Sequence, residues 1–282
     1  MRGFFDSLLT PEPGHAGVGN ESVNLNQTAR ERGGAPPGII IANARLSYAG
    51  RDLFADLSVS FAAGQWTCLL GPSGVGKSTL LRLIAGLETP APPGRVEASD
   101  GAPLNGRIAY MAQQDLLLPW LSALGNVGLG ARLRGKAVDT ATARRLLDQV
   151  GLGARAADRP ATLSGGMRQR VALARTLAED RPVVLMDEPF SALDAVTRLR
   201  LQDLAAETLR GRTIVLVTHD PLEAVRLGQR VLVMAGRPAR LIEAALPSSA
   251  IPRKADDPAV LDAEARLFRT LLASDAEALD PS

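Results

Sequence analysis

Apolar residues fall along this chain in short, sharply bounded runs whose period switches between that of a strand and that of a helix. Ile39-Ile40-Ile41, Ala44 to Tyr48 and the alternating Leu57-Ser58-Val59-Ser60-Phe61 predict antiparallel strands with one wet face. Trp66 to Leu70, Arg107 to Met111, Val183 to Met186 and Thr213 to Thr218 are continuous apolar runs of strand length and predict buried parallel strands. Between them lie helical patterns: Leu80 to Ala85; Ala141 to Val150, where Leu146, Leu147 and Val150 share a face opposite Arg144 and Asp148; and a helix after Leu163 with a stripe of Met167, Val171, Ala174 and Ala178. The Pro- and Gly-rich stretch from Glu88 to Gly106 reads as loops around a short strand, and helical patterns dominate from Ser122 to Val150. Strands alternating with helices predict an α/β fold with a mostly parallel sheet, an antiparallel β layer over 39–62 and an inserted helical subdomain at about 115–165. Residues 1–38, unperiodic and rich in Gly, Pro, Asn and Ser over most of their length, read as a flexible leader. Residues 247–282 read as a tail with one amphipathic helix carrying Val260, Leu267 and Leu271.

Composition narrows the function more by exclusion than by suggestion. The chain has 282 residues, enough for a full core, and Lys+Arg 32 against Asp+Glu 30 leaves a formal charge of +2, which gives no case for a nucleic-acid partner. Its single cysteine, Cys68, lies inside an apolar run and reads as a small buried hydrophobe. No apolar run approaches the ~18 residues a membrane helix needs, and Met1 to Thr10 lacks the features of a secretion signal, so the expectation is a cytosolic protein.

The chemistry gathers where strands end. Gly71-Pro72-Ser73-Gly74-Val75-Gly76-Lys77-Ser78-Thr79 fits G-x-x-x-x-G-K-[ST], directly after a predicted strand and before a predicted helix. Glycines let successive backbone N–H groups face one concavity, and the helix adds its free N–H groups and dipole, which together seat a polyphosphate. Lys77 supplies a mobile charge for the β- and γ-phosphates, and the Ser78 hydroxyl suits Mg²⁺, which prefers oxygen ligands. Ser164-Gly165-Gly166 opens another helix and forms a second anion seat. The 183–186 run delivers Asp187, placed to act on Mg²⁺, and Glu188, placed to polarise an attacking water. His219 ends another strand at the same predicted edge, within reach of a γ-phosphate; the second histidine, His15, lies in the leader. Tyr48 sits at a loop from which it can stack on a purine.

In order, these parts resemble the nucleotide-binding subunit of an ATP-binding cassette transporter, from Ile39 to about Leu246. The resemblance implies a cassette of the phosphate-loop NTPase class that hydrolyses ATP with Mg²⁺. It implies that Gln113 is a loop glutamine sensing the metal and the membrane partner, and that Ser164 to Gln169 are the signature. Gln169 thereby joins Tyr48, the loop 71–79 and Ser164–Gly166 as a nucleotide-binding residue, Gln113 joins Glu188 and His219 as catalytic and Ser78 and Asp187 as metal-binding, and Ser191–Asp194 becomes a dimer-contacting loop. It also implies a homodimer, integral-membrane permease subunits, indirectly a periplasmic or secreted solute-binding protein, and a peripheral place on the cytoplasmic face of the cell membrane. Leu117-Leu118-Pro119-Trp120-Leu121 and Gly236-Arg237-Pro238-Ala239-Arg240 are similar to the ATPases of bacterial importers for nitrate, sulfonates, taurine and thiamine-precursor pyrimidines, and Tyr110 to Asp115 leans toward the pyrimidine branch. Ala112 and Gly125 depart from the family pattern beside the partner contact. A repair or translation cassette, uncoupled to transport, is the alternative. It would need long heptads or duplicated motifs, which this sequence lacks. An ordinary phosphate-loop kinase would leave Leu163–Gln169 and His219 without a role.

Overall fold

The computed structural model describes residues 35–279. Residues 1–34, most of the expected leader and His15 with them, lie outside the described residues. Pro37 and Gly38 are buried, and the Pro37 carbonyl accepts from Thr213 Oγ1 at 2.7 Å, so the body begins slightly before the expected boundary at 39.

Two sheets organise the chain. The first is antiparallel, in the order β2 (Arg51–Phe61), β1 (Ile39–Tyr48), β4 (Arg95–Ala98), with Ile39 opposite both Phe61 and Ala98. The expected layer over 39–62 is therefore two long strands plus a third from the Pro/Gly-rich stretch. β1 and β2 turn through Ala49-Gly50, both at positive φ (49° and 76°), the two-residue hairpin that matches strand twist. Tyr48 is thus the last residue of β1 rather than a loop residue.

The second sheet has the order β5 (Ile108–Met111), β6 (Val183–Asp187), β7 (Thr213–Val217), β3 (Trp66–Leu70), β8 (Arg230–Ala235), β9 (Arg240–Ala244). All its pairings are parallel except β8 with β9. Side chains alternate between its faces, as a period of two requires. Leu69, Val183, Leu185, Val215 and Val217 pack with β1, β2 and α1 (Lys77–Ile84) on one face. Cys68, Leu70, Val184, Met186, Ile214 and Leu216 pack with α5 (Gly165–Ala178), α6 (Ala195–Thr208) and α7 (Pro221–Leu227) on the other. Each fully buried aliphatic side chain contributes about 1.5–3 kcal/mol, so this two-faced sheet fixes the level at which its strand ends stand.

Between β5 and α5 every element is helical: α2 (Ala123–Val127), α3 (Leu129–Leu133), α4 (Thr140–Gln149) and two 3₁₀ turns. α4 buries Ala143, Leu146 and Leu147 and exposes Arg144 and Asp148. Two expectations change. Helix α5 is not one stripe: Val171 to Ala174, Thr176 and Leu177 are all buried, because sheet and helices surround it. The helix expected in a tail, α8 (Pro258–Leu279), packs Val260, Ala263 and Leu267 into the main core, so the chain after Leu246 belongs to the same compact body.

Candidate functional site

Parallel strands of matched register deliver their next residues to one edge. Met111 pairs with Met186, Asp187 with Val217, and Val217 with Leu69, so Gln113, Glu188, His219 and Gly71 all follow strands that end at one level. Loops at the carboxyl ends of such a sheet are where ligands bind.

The loop 71–76 curls over the end of β3. A Cβ on Gly71 would strike the Met234 carbonyl oxygen, so only glycine permits this approach. Gly76, at φ 109°, caps α1 without a side-chain hydrogen bond, leaving the first-turn N–H groups of Lys77–Ile84 without a side-chain cap. Lys77 is 8% exposed and its Nζ donates to the carbonyls of Gly71 (2.7 Å) and Pro72 (2.8 Å). Burial lowers its pKa, while the charges of Glu188 and Asp187 pull it back up. Asp187 is buried, and burial raises its pKa. The nearby Ser78 hydroxyl opposes that rise, Glu188 adds to it and Lys77 opposes it. Asp187 Oδ1 has no hydrogen-bond partner although it is buried. An orphaned carboxylate oxygen beside a serine hydroxyl suits a hard divalent cation.

Glu188 sits at φ 49°, a left-handed conformation that strains a residue with a Cβ, and its Oε2 lies 3.2 Å from His219 Nδ1. Tyr48, half exposed, stands beside Glu88 and Thr79, the latter in the first turn of α1; burial chiefly raises its pKa, with Glu88 adding to the rise. The structure thus brings together Tyr48, the phosphate loop, Asp187, Glu188 and His219.

Ser164 caps α5, its Oγ accepting from Met167 N at 3.3 Å. Gly165 and Gln113 line a cleft of about 430 Å³ with Met111, Arg168, Gln169 and Ser191, and no residue of 71–79 is in its walls. Gln113 is exposed there and makes no hydrogen bond to Ser78 or Asp187. Gly166 is needed for a further reason: a Cβ there would come within 2.9 Å of the Ala192 carbonyl oxygen. Gln169 corrects an expectation. It is 6% exposed, and its amide is held by Glu188, Ser191 and Ala192 of its own subunit, which leaves it no free group for a nucleotide.

Two features escaped the sequence reading. Glu223 is buried, with its pKa pushed up to about 8 by burial first and by Asp220 second. Arg175 grips the carbonyls of Asp115 (2.7 Å) and Leu116 (2.9 Å), fixing the loop that presents Trp120, 66% exposed. Neither carries a motif; each depends on a fold-level contact.

Among known proteins, the family model described as ABC transporter matches residues 54–191. The chain is 44% identical over 252 residues to the aliphatic sulfonates import ATP-binding protein SsuB 2 of Burkholderia cenocepacia, covering 88% of this chain and 91% of that one. It is 47% identical over 200 residues to the taurine import ATP-binding protein TauB of Pseudomonas aeruginosa, covering 68% and 75%. A dimeric post-hydrolysis structure of the ATP-binding cassette MJ0796, bound to ADP and Pi, superposes with a TM-score of 0.67 at 30% identity, over 75% of this chain and 100% of that one. These named relatives fall within the importer group that Leu117–Leu121 and Gly236–Arg240 resemble.

Proposed function

The chain belongs to the ATP-binding cassette ATPases of the sulfonate and taurine importer group, and from that membership we propose how its residues hydrolyse ATP for a membrane importer. The carrying observation is the Glu188–His219 contact beside Lys77 and Asp187 on one sheet edge. ATP lies with its triphosphate in loop 71–79, where Lys77 turns from the loop carbonyls to the β- and γ-phosphates, and Tyr48 stacks on the base. Ser78 and Asp187, with Gln113 of the neighbouring cleft, would hold Mg²⁺, which would supply charge neutralisation to the phosphates. Glu188 accepts the proton of a water attacking the γ-phosphorus, the β–γ bond breaks toward ADP, and His219 donates to the γ-phosphate oxygens.

A single subunit leaves Ser164–Gly166 outside this site. In a two-fold dimer each signature turn reaches the ATP on the other subunit's Lys77, adding donors where negative charge sits. The exposed Leu116 and Trp120 form part of the groove for a permease segment. On this reading the protein works at the cytoplasmic face of the cell membrane, with a solute-binding protein acting through the permease. A small sulfonate of the aliphatic or taurine type is the transported class. By domains, we read 39–246 as the cassette proper, with its helical part at about 115–165, inside one compact body that also takes in the α8 helix. Phosphate release from ATP by the purified protein, absent without Mg²⁺ and lost in Lys77→Ala with ATP binding, supports this reading; undiminished hydrolysis by Lys77→Ala contradicts it.

A further inference from the structure

Glu188 is held by its backbone as much as by its side chain. Its N–H donates to the Val217 carbonyl of β7 at 2.9 Å. Its carbonyl accepts from Gln169 Nε2 at 2.8 Å and from Ser191 Oγ at 3.0 Å. Gln169 Oε1 in turn accepts from Ala192 N at 2.8 Å, so one buried amide bridges the first and last residues of the 188–192 turn. Its donor and its acceptor are both used, and Gln169 Nε2 also reaches Ser191 Oγ at 3.3 Å. At φ 49° Glu188 would relax toward an ordinary extended or helical conformation if this clamp were opened, swinging its carboxylate away from His219. The packing of Gly166 on the Ala192 carbonyl puts a second contact of the same helix on the same turn.

From this geometry we propose that Gln169 is a positioning residue for the hydrolytic step: it ties the signature helix to the 188–192 turn and keeps Glu188 in its strained, reactive orientation. The inference rests on the reading of Glu188 as the base. Gln169 touches no nucleotide; it acts through Glu188. Leucine at 169 removes donor and acceptor alike. Glutamate keeps the size and the acceptor for Ala192 N–H but turns an oxygen toward the Glu188 carbonyl, so it fails for a different reason.

The test is steady-state hydrolysis and ATP binding by full-length Gln169→Leu and Gln169→Glu, each made alone and together with Glu188→Gln. Misplacing a reacting group by about 1 Å costs on the order of 10²-fold, so kcat is expected to fall between about 10- and 100-fold in both single variants. ATP Kd and KM should stay within about twofold, because binding is made elsewhere. In the Glu188→Gln background the further loss should be under about twofold, since residues acting as a unit are not additive. Parental turnover in both Gln169 variants while Glu188→Gln is inactive overturns this proposal alone. So does an equal fold-loss in both backgrounds, or a loss confined to ATP affinity. Parental turnover in Glu188→Gln overturns the base reading and this proposal with it. Gln169→Glu, nearly isosteric, keeps the test decisive if Gln169→Leu does not fold.

Discussion

His219 Nδ1 lies 3.2 Å from Glu188 Oε2, and the two residues follow neighbouring parallel strands, β7 and β6. The pairing of Asp187 with Val217 sets this contact, so it comes from the sheet rather than from a flexible loop. His219 is 63% exposed at its side chain and carries little of the fold's stability. His219→Ala should therefore lower kcat by about 10²-fold or more, the range for losing one positioned donor, with the melting temperature nearly unchanged. Phosphate release measured beside thermal unfolding checks both parts.

A second expectation concerns Glu223, which hydrogen bonds to Gln202 at 3.1 Å and leaves Oε1 without a partner. Burial raises its pKa from 4.5 to about 8. The folded protein therefore binds a proton that the unfolded chain releases above about pH 4.5. The sign follows: this group's stabilising proton uptake is fully present below the unfolded pKa, and stability declines as pH rises toward 8, by up to ~1.4 kcal/mol per pH unit. Glu223→Gln should flatten that decline, gaining on the parent as pH goes from 5 to 8. Denaturant midpoints at pH 5, 6.5 and 8 measure it, and parallel pH profiles in the two proteins would contradict it.

How far the sequence reached depends on whether an effect is local. The phosphate loop, Asp187-Glu188 and the Ser164 cap are legible because a short run of residue types dictates a turn, a strand end or a helix start. Gln169 was read as a nucleotide ligand because its motif names a neighbourhood, not which atoms its amide meets. The role of β4 depended on pairing with β1 from more than fifty residues away, and its four residues carry no pattern that names a partner. The α8 helix showed its apolar face in sequence, but only the fold supplied α7 and β8 to cover it. Glu223, an acid in the first turn of α7, carries no local pattern that predicts its burial.

Trp120 separates docking from catalysis. It is exposed, on a loop fixed from behind by Arg175 and by Asn126, whose Oδ1 accepts from Leu118 N at 2.8 Å. Trp120→Ala should leave ATP hydrolysis by the isolated protein within about twofold and stability within about 0.5 kcal/mol, as for surface changes in general. Its co-purification with the permease should fall at least about tenfold, the loss typical of a buried aromatic anchor. Undiminished co-purification would place the membrane contact elsewhere.

The central claim is that two subunits close on two ATP molecules and that Glu188 ends the closed state. Glutamine at 188 keeps shape and hydrogen bonding but cannot take the proton, a loss of ~10² to 10⁴ in rate. The most direct measurement is the molar mass of Glu188→Gln by size-exclusion chromatography with light scattering, with and without Mg-ATP. The predicted result is a dimer that forms only with Mg-ATP, while Lys77→Ala stays monomeric under the same conditions. A Glu188→Gln protein that remains monomeric in Mg-ATP, or that hydrolyses ATP at the parental rate, would contradict the account.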